Sequence, residues 1–287
     1  MYNTTSIQTE TLYPAQSGLY ERSESFDIAA CMVTDVGCVR EENEDRILYV
    51  KPSDPQLQMT KGILAVVADG MGGHQAGAVA SQLAVETIKR HYYNNSQSPQ
   101  LALQQALISA NQYIREYAQS DQQFSGMGTT ASALVLQQGA VYTAHVGDSR
   151  LYLIRNNRIT QLTEDHSMVM QMVKEGLITA EQARQHPDNN IINRALGTQD
   201  YVEVAISTNV LYAQSGDRFV LSSDGLHDLV DDEEILQATR RSDIHQTCHQ
   251  LITQARDRGG YDNISVGIVA INPVGEKSAR APQTRSG

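Results

Sequence analysis

Four aspartates stand where apolar stretches of the sequence stop: Asp69 in VVADGMGG, Asp148 in AHVGDSR, Asp224 in LSSDGLHD and Asp262 in GGYDNIS. The first three follow predicted strands and the fourth precedes one. Strand ends meeting at one rim would therefore gather carboxylates that lie far apart in the chain. Taken singly, each has a plainer reading. Asp-Gly is a common turn pair, because Asp bonds its own backbone and Gly accepts a positive φ, and Asp148 could cap a turn with Ser149. Taken together, they ask for a cation. VVAD and LSSD set a carboxylate against the most buried kind of strand, where an unpaired charge is costly. Arg150 is the only Lys or Arg within three residues of any of the four. Divalent metal is the economical neutraliser, and all-oxygen ligation selects Mg²⁺, Mn²⁺ or Ca²⁺ over zinc or copper.

Two neighbouring segments add to this chemistry. Gly70 follows Asp69 directly, and a glycine beside a ligand lets its backbone carbonyl approach an ion. The MGGH that comes next opens a predicted helix and leaves room for a phosphoryl group. Ahead of another strand, VREENEDR carries Arg40, Glu44 and Asp45. Arginine offers a planar fork that grips phosphate oxygens two at a time, and Glu44 and Asp45 can hold metal-bound waters. On local grounds the same segment also reads as a solvated charged turn.

The elements that must position these residues follow from periodicity. Apolar, β-branched runs predict strands at 27–36, 46–50, 62–68, 130–136, 140–147, 150–155, 217–222 and 263–271. Apolar stripes at helical spacing predict helices at 74–93, through Ala76, Ala80, Leu83, Ala84 and Ile88, and at 100–118, through Leu103, Leu107, Ala110 and Ile114. Shorter helices are predicted at 166–175, 179–185, 232–240 and 243–257. Strands, a helix pair, more strands and more helices come in runs, which argues for α+β with mainly antiparallel sheets. Residues 1–24, rich in Ser, Thr, Gln and Tyr, are expected to be a flexible extension, 25–272 one domain and 273–287 a flexible tail. Residues 163–200 are more polar and are expected to leave the sheet as an excursion.

Bulk properties exclude several classes. Of 287 residues, 22 are Lys or Arg and 33 are Asp or Glu, a formal net charge of −11. Such a chain repels nucleic acid and anionic membrane at long range, and neither is an expected partner. No apolar run is long enough to span a bilayer, and no secretory signal is legible. Three cysteines, Cys31, Cys38 and Cys248, with no CxxC, fit ordinary thiols in a reducing cytoplasm.

In order along the chain, REENED, VVADGMGGH, GMGTT, VGDSRLYL, LTEDHS, NRALG, LSSDGLHD and GGYDNISV resemble the successive motifs of the type 2C (PPM) protein serine/threonine phosphatases, in the form of the bacterial branch. The resemblance covers about residues 27–271. It implies a four-layer αββα sandwich of two mainly antiparallel sheets, with two or three Mg²⁺ or Mn²⁺ ions at one end. Carried over, Asp69 would bridge two ions, Gly70 would lend a carbonyl, and Asp224 and Asp262 would complete the pair. Asp148 would hold a third ion, Arg40 would bind the substrate phosphate, and residues 163–195 would be the family's flap. In one respect the sequence departs from animal members. They carry a histidine after the Asp-Gly, thought to protonate the leaving group, whereas here Met71 stands there and His74 lies three residues on. The resemblance then makes water on the third ion the expected acid.

The expected reaction is hydrolysis of phosphoserine and phosphothreonine in proteins by a hydroxide shared between two ions ~3.5–4 Å apart, without a phospho-enzyme. A cysteine nucleophile would need Arg six positions later, and Gly37, Glu44 and Gln254 stand at those positions. There is no GxxxxGK[ST] loop either. Phosphorylated proteins, and the serine/threonine kinase that makes them, are the expected partners. Another two-metal phosphoesterase and a non-catalytic phosphatase-like sensor are the alternatives.

Overall fold

The computed structural model describes residues 26–72, 75–184, 186–241 and 243–274. The chain runs β1 (Phe26–Asp35), β2 (Asp45–Val50), α1 (Pro55–Lys61), β3 (Ile63–Met71), α2 (Ala76–Asn94), α3 (Pro99–Ser120), β4 (Gly128–Thr129), β5 (Ala131–Gln137), β6 (Ala140–Val146) and β7 (Arg150–Arg155). It continues through β8 (Arg158–Gln161), α4 (Met168–Lys174), α5 (Ala180–Arg184), β9 (Ala205–Ile206), β10 (Leu211–Tyr212), β11 (Arg218–Ser222), α6 (Asp224–His227), α7 (Asp232–Arg241), α8 (Ile244–Asp257) and β12 (Ile264–Pro273).

These strands form two sheets, ordered β1-β12-β11-β7-β8 and β10-β6-β5-β3-β2, with β4 added on β3 and β9 on β6. Every pairing among them is antiparallel. Side chains alternate across a strand, and that alternation builds the layers. On β3, Ile63, Ala65 and Val67 enter the core between the sheets, while Leu64, Val66 and Ala68 enter the core under α2 and α3. On β12, Val269 and Ile271 face the inter-sheet core, while Val266 and Ile268 join the core under α7 and α8. Both faces of the central strands are thus covered, which is why they read as continuous apolar runs. The result is the expected αββα sandwich.

The predicted strands and long helices sit within a few residues of the observed ones, and the differences have physical causes. Helix α1 escapes periodicity because it is only seven residues long. Local chemistry builds it instead, with the Asp54 carboxylate accepting from the Gln56 amide and Pro55 at the first position. Strand β3 does not stop at Asp69, since Gly70 and Met71 continue it by pairing with Thr129 and Gly128. Asp224 heads α6 and is not in a strand-end turn. Among the described residues, 163–200 carry α4, α5 and no sheet strand. The expected extension at 1–24 lies outside the described residues, as does His74. So does the tail beyond Val274, whereas Pro273 still pairs with Phe26. Among the described residues no helix is long and apolar enough to cross a membrane. Cys31, Cys38 and Cys248 are all free thiols.

Candidate metal centre

The acidic residues meet at one end of the sandwich because of register. Asp45 opens β2 directly opposite Asp69 on β3. In the other sheet, β11 ends at Ser222 opposite Val266, and the Ser223 amide donates to the Ser265 carbonyl at 3.2 Å. That ladder sets Asp224 beside Asp262, which immediately precedes β12. Asp148 rides on the tight turn between β6 and β7.

The backbone of Asp69 is clamped and its side chain is left for the cleft. Its amide donates to Thr130 Oγ1 at 3.0 Å, and its carbonyl accepts from the Thr130 amide at 2.9 Å and from Thr129 Oγ1 at 2.8 Å. Gly70 sits where no other residue fits, since a Cβ there would lie 2.1 Å from the Gly77 carbonyl oxygen and 2.7 Å from that of Glu44. The Glu44 carboxyl in turn packs on Gly77 in the first turn of α2, where its negative charge meets the positive end of the helix.

These carboxyl groups are poorly compensated. Asp45 is 1% exposed; its Oδ2 accepts from Ser223 Oγ at 2.7 Å, and its Oδ1 has no partner among the described residues. Burial pushes its pKa up to about 8, against the pull of the Ser223 and Ser265 hydroxyls and with further push from Asp224 and Asp262. Burial and then Asp224 hold Asp69 well above the ordinary carboxylate range. Asp224 is raised by burial and then by Asp262, while a hydrogen bond shared with Asp69 acts in the opposite direction. Burial, Asp224 and Asp165 do the same to Asp148. Asp262 has a cation, its Oδ2 accepting from Arg40 Nη2 at 2.7 Å.

Among the described residues no three Asp, Glu, His or Cys side chains close on a common point. The aspartates are instead gathered, with Asp224 raising the charge cost of Asp69 and Asp262 paired with Arg40. The donor set nevertheless fits hard divalent cations. It is all oxygen, and Glu44 Oε1, Asp45 Oδ1 and Asp224 Oδ1 are buried without hydrogen-bond partners among the described residues.

Comparison with known proteins decides the family. The model of the protein phosphatase 2C family matches residues 41–258. The chain belongs to the protein phosphatase 2C family. This phosphatase is 39% identical over 247 residues to the serine/threonine phosphatase stp of Listeria innocua, covering 83% of this chain and 94% of that one. Among solved structures it resembles the serine/threonine phosphatase PstP/Ppp of Mycobacterium tuberculosis with a TM-score of 0.76 and 35% identity, over 85% of this chain and 99% of that one. The catalytic domain of PstP in complex with two manganese ions matches with a TM-score of 0.75 and 34% identity, over 86% and 100% of the chains.

The structure of the phosphatase also shows positioning residues that periodicity could not mark. Asn263 is the chief one. Its Nδ2 donates to the Val36 and Glu42 carbonyls at 2.9 Å each, and its Oδ1 accepts from the Glu44 amide at 2.7 Å. It thereby ties the segment bearing Arg40 and Glu44 to the strand start bearing Asp262. The only sequence signal was its place beside Asp262. Asp228 is a second omission. It shares with Asp148, Asp165 and Asp224 the lining of a cavity of about 540 Å³, and burial followed by Asp224 pushes its pKa up to about 6.

Proposed function

We propose that this protein phosphatase hydrolyses phosphoserine and phosphothreonine in proteins with Asp69, Asp224 and Asp262, helped by the Gly70 carbonyl, holding two Mg²⁺ or Mn²⁺ ions and Asp148 a third. The observation that carries this reading is the set of buried carboxyl oxygens left without partners at one sandwich end, facing carboxyls they repel. The chemistry supplied by bound divalent ions is Lewis acidity, which brings a water's pKa towards neutrality and offsets charge on phosphoryl oxygens.

The chain's own groups do the rest. Arg40 is exposed and, among the described residues, tethered by its ion pair with Asp262, so its fork can turn from Asp262 onto the incoming phosphate and hold it in line. Asp45 Oδ1, a buried acceptor behind the aspartates, and Glu44 orient water at the site. Asn263 keeps the Arg40 segment in register with Asp262. The 163–200 segment, resting over Asp148, forms the flap beside the substrate. The phosphoproteins made by a serine/threonine kinase are the substrates, and a signalling role in the cytoplasm follows from that pairing.

The test is hydrolysis of p-nitrophenyl phosphate, a phosphothreonine peptide and a nucleic-acid diester by the full chain, with Mn²⁺, with Mg²⁺ and with chelator. Hydrolysis of the phosphopeptide that chelation abolishes and either metal restores is the expected result. Activity that survives thorough chelation, or that falls on the diester alone, overturns the proposal.

A further inference from the structure

The 163–200 segment joins the sandwich at a neck, leaving along residues 164–167 and returning along 191–194. There Ser167 bridges Ile192, and the Asn193 amide donates to the His166 carbonyl at 2.9 Å. The rest of His166 reaches the opposite way. Its amide donates to the Gly147 carbonyl at 2.7 Å, and the Gly147 amide donates to its Nδ1 at 3.0 Å. One residue therefore holds both the amide and the carbonyl of Gly147, whose next neighbour is Asp148.

That turn has little freedom elsewhere. Gly147 adopts φ +107°, and a Cβ on it would lie 2.6 Å from the Thr130 side chain. After Asp148, the Ser149 hydroxyl lies 2.5 Å from Thr130 Oγ1, and the Ser149 carbonyl accepts from Ser132 Oγ at 2.5 Å. Thr130 is the residue that clamps the Asp69 amide. Asp148 is thus bracketed: after it Ser149 is tied to Thr130, the residue that fixes Asp69, and before it both main-chain groups of Gly147 are held by His166. The His145 ring packs on His166 with centroids 4.7 Å apart, and its Nε2 lies 3.1 Å from the Glu164 carbonyl, a second tie across the same neck. An Nδ1 that accepts must be unprotonated. Burial, His145 and Arg194 keep the ring neutral, lowering its pKa to about 3.

We infer that His166 is a positioning residue that couples the pose of the 163–200 segment to Asp148, and through it to the ion Asp148 holds. This rests on the function proposed above. A displaced neck must either carry Gly147 and Asp148 with it or break the clasp. A histidine that merely filled buried space would show no such coupling.

The test uses the full chain with His166→Leu, which fills similar space without an acceptor, and His166→Asn, whose Oδ1 sits near the position of Nδ1. Amide hydrogen exchange is read in chelator, independently of turnover. The Asn193 amide bonds to the His166 main chain, which the substitution leaves in place. Exchange there and at Gly147 should quicken at least about tenfold in His166→Leu and stay near wild type in His166→Asn. In activity assays, His166→Leu should need roughly 10–100-fold more Mn²⁺ for half-maximal rate and show a lower kcat, with phosphopeptide KM within about twofold. His166→Asn should recover most of both. Unchanged exchange at Asn193, an unchanged Mn²⁺ requirement, or an Asn variant as impaired as the Leu variant overturns the inference. If His166→Leu fails to melt cooperatively, His166→Gln replaces it with the same expectations. A wild type without Mn²⁺-dependent hydrolysis would sink the functional reading, while the exchange result would still report on the clasp.

Discussion

At the scale of single residues, the site is a set of carboxyl groups that folding alone would not choose. Asp45, Asp69, Asp148 and Asp224 all have raised pKa values from burial and mutual repulsion, so each ionised group costs stability until a cation offsets it. Asp224→Asn should therefore lower kcat/KM by about a thousandfold or more, the equivalent of ~4 kcal/mol in the barrier. In chelator its Tm should be unchanged or higher than wild type, because the repulsion with Asp262 is gone. Steady-state kinetics and thermal melts read both, and near-normal turnover would remove Asp224 from the site. The aspartates were legible because each stands at the end or the start of an apolar run. Asn263 was not, because its work is done through main-chain groups of residues 36, 42 and 44, a relation that exists only in three dimensions.

At the scale of elements, the site depends on how closely α2 is pressed on the end of β3. Gly70 and Gly77 permit that approach, with no room for a Cβ on Gly70. Gly70→Ala should force the two apart, costing about 2–3 kcal/mol and displacing Asp69 with the strand. Urea unfolding and Mn²⁺ titration of the variant measure the two effects, and a variant as stable and as active as wild type would contradict the account. The central strands were legible as continuous apolar runs, and α2 and α3 by an apolar period sustained over 19 and 22 residues. Two-residue strands such as β9 and β10, and the four-residue α6 that Asp224 heads, are too short to carry a period; the two strands form because β6 supplies their partners.

At the scale of the whole molecule, three cores in four layers were implied by strands apolar on both faces. Which strand lies beside which, and so which aspartates face each other, depends on non-local register that no local pattern encodes. The layers also bury charge-sensitive groups that make the fold respond to acid. His145 is 2% exposed, and burial lowers its pKa to about 4 from an ordinary 6.5. Below pH 6.5 the unfolded chain binds a proton there that the folded chain refuses, so this stability is present above pH 6.5 and is lost as pH falls towards 4. The slope approaches about 1.4 kcal/mol per pH unit. Asp45 slopes the other way, so the comparison that isolates the histidine is wild type against His145→Gln. Their stability difference, from urea unfolding at constant Mg²⁺, should shrink as pH drops from 6.5 to 4.5; a difference independent of pH would refute it.

The central claim is that acidic side chains from both sheets meet to hold divalent ions. Anomalous diffraction from crystals soaked in Mn²⁺ measures it most directly. The account predicts anomalous peaks bounded by Asp69, Asp224 and Asp262, with a further peak against Asp148 and with Arg40 released from Asp262. A map without peaks at that rim, or with manganese bound only elsewhere, would contradict it.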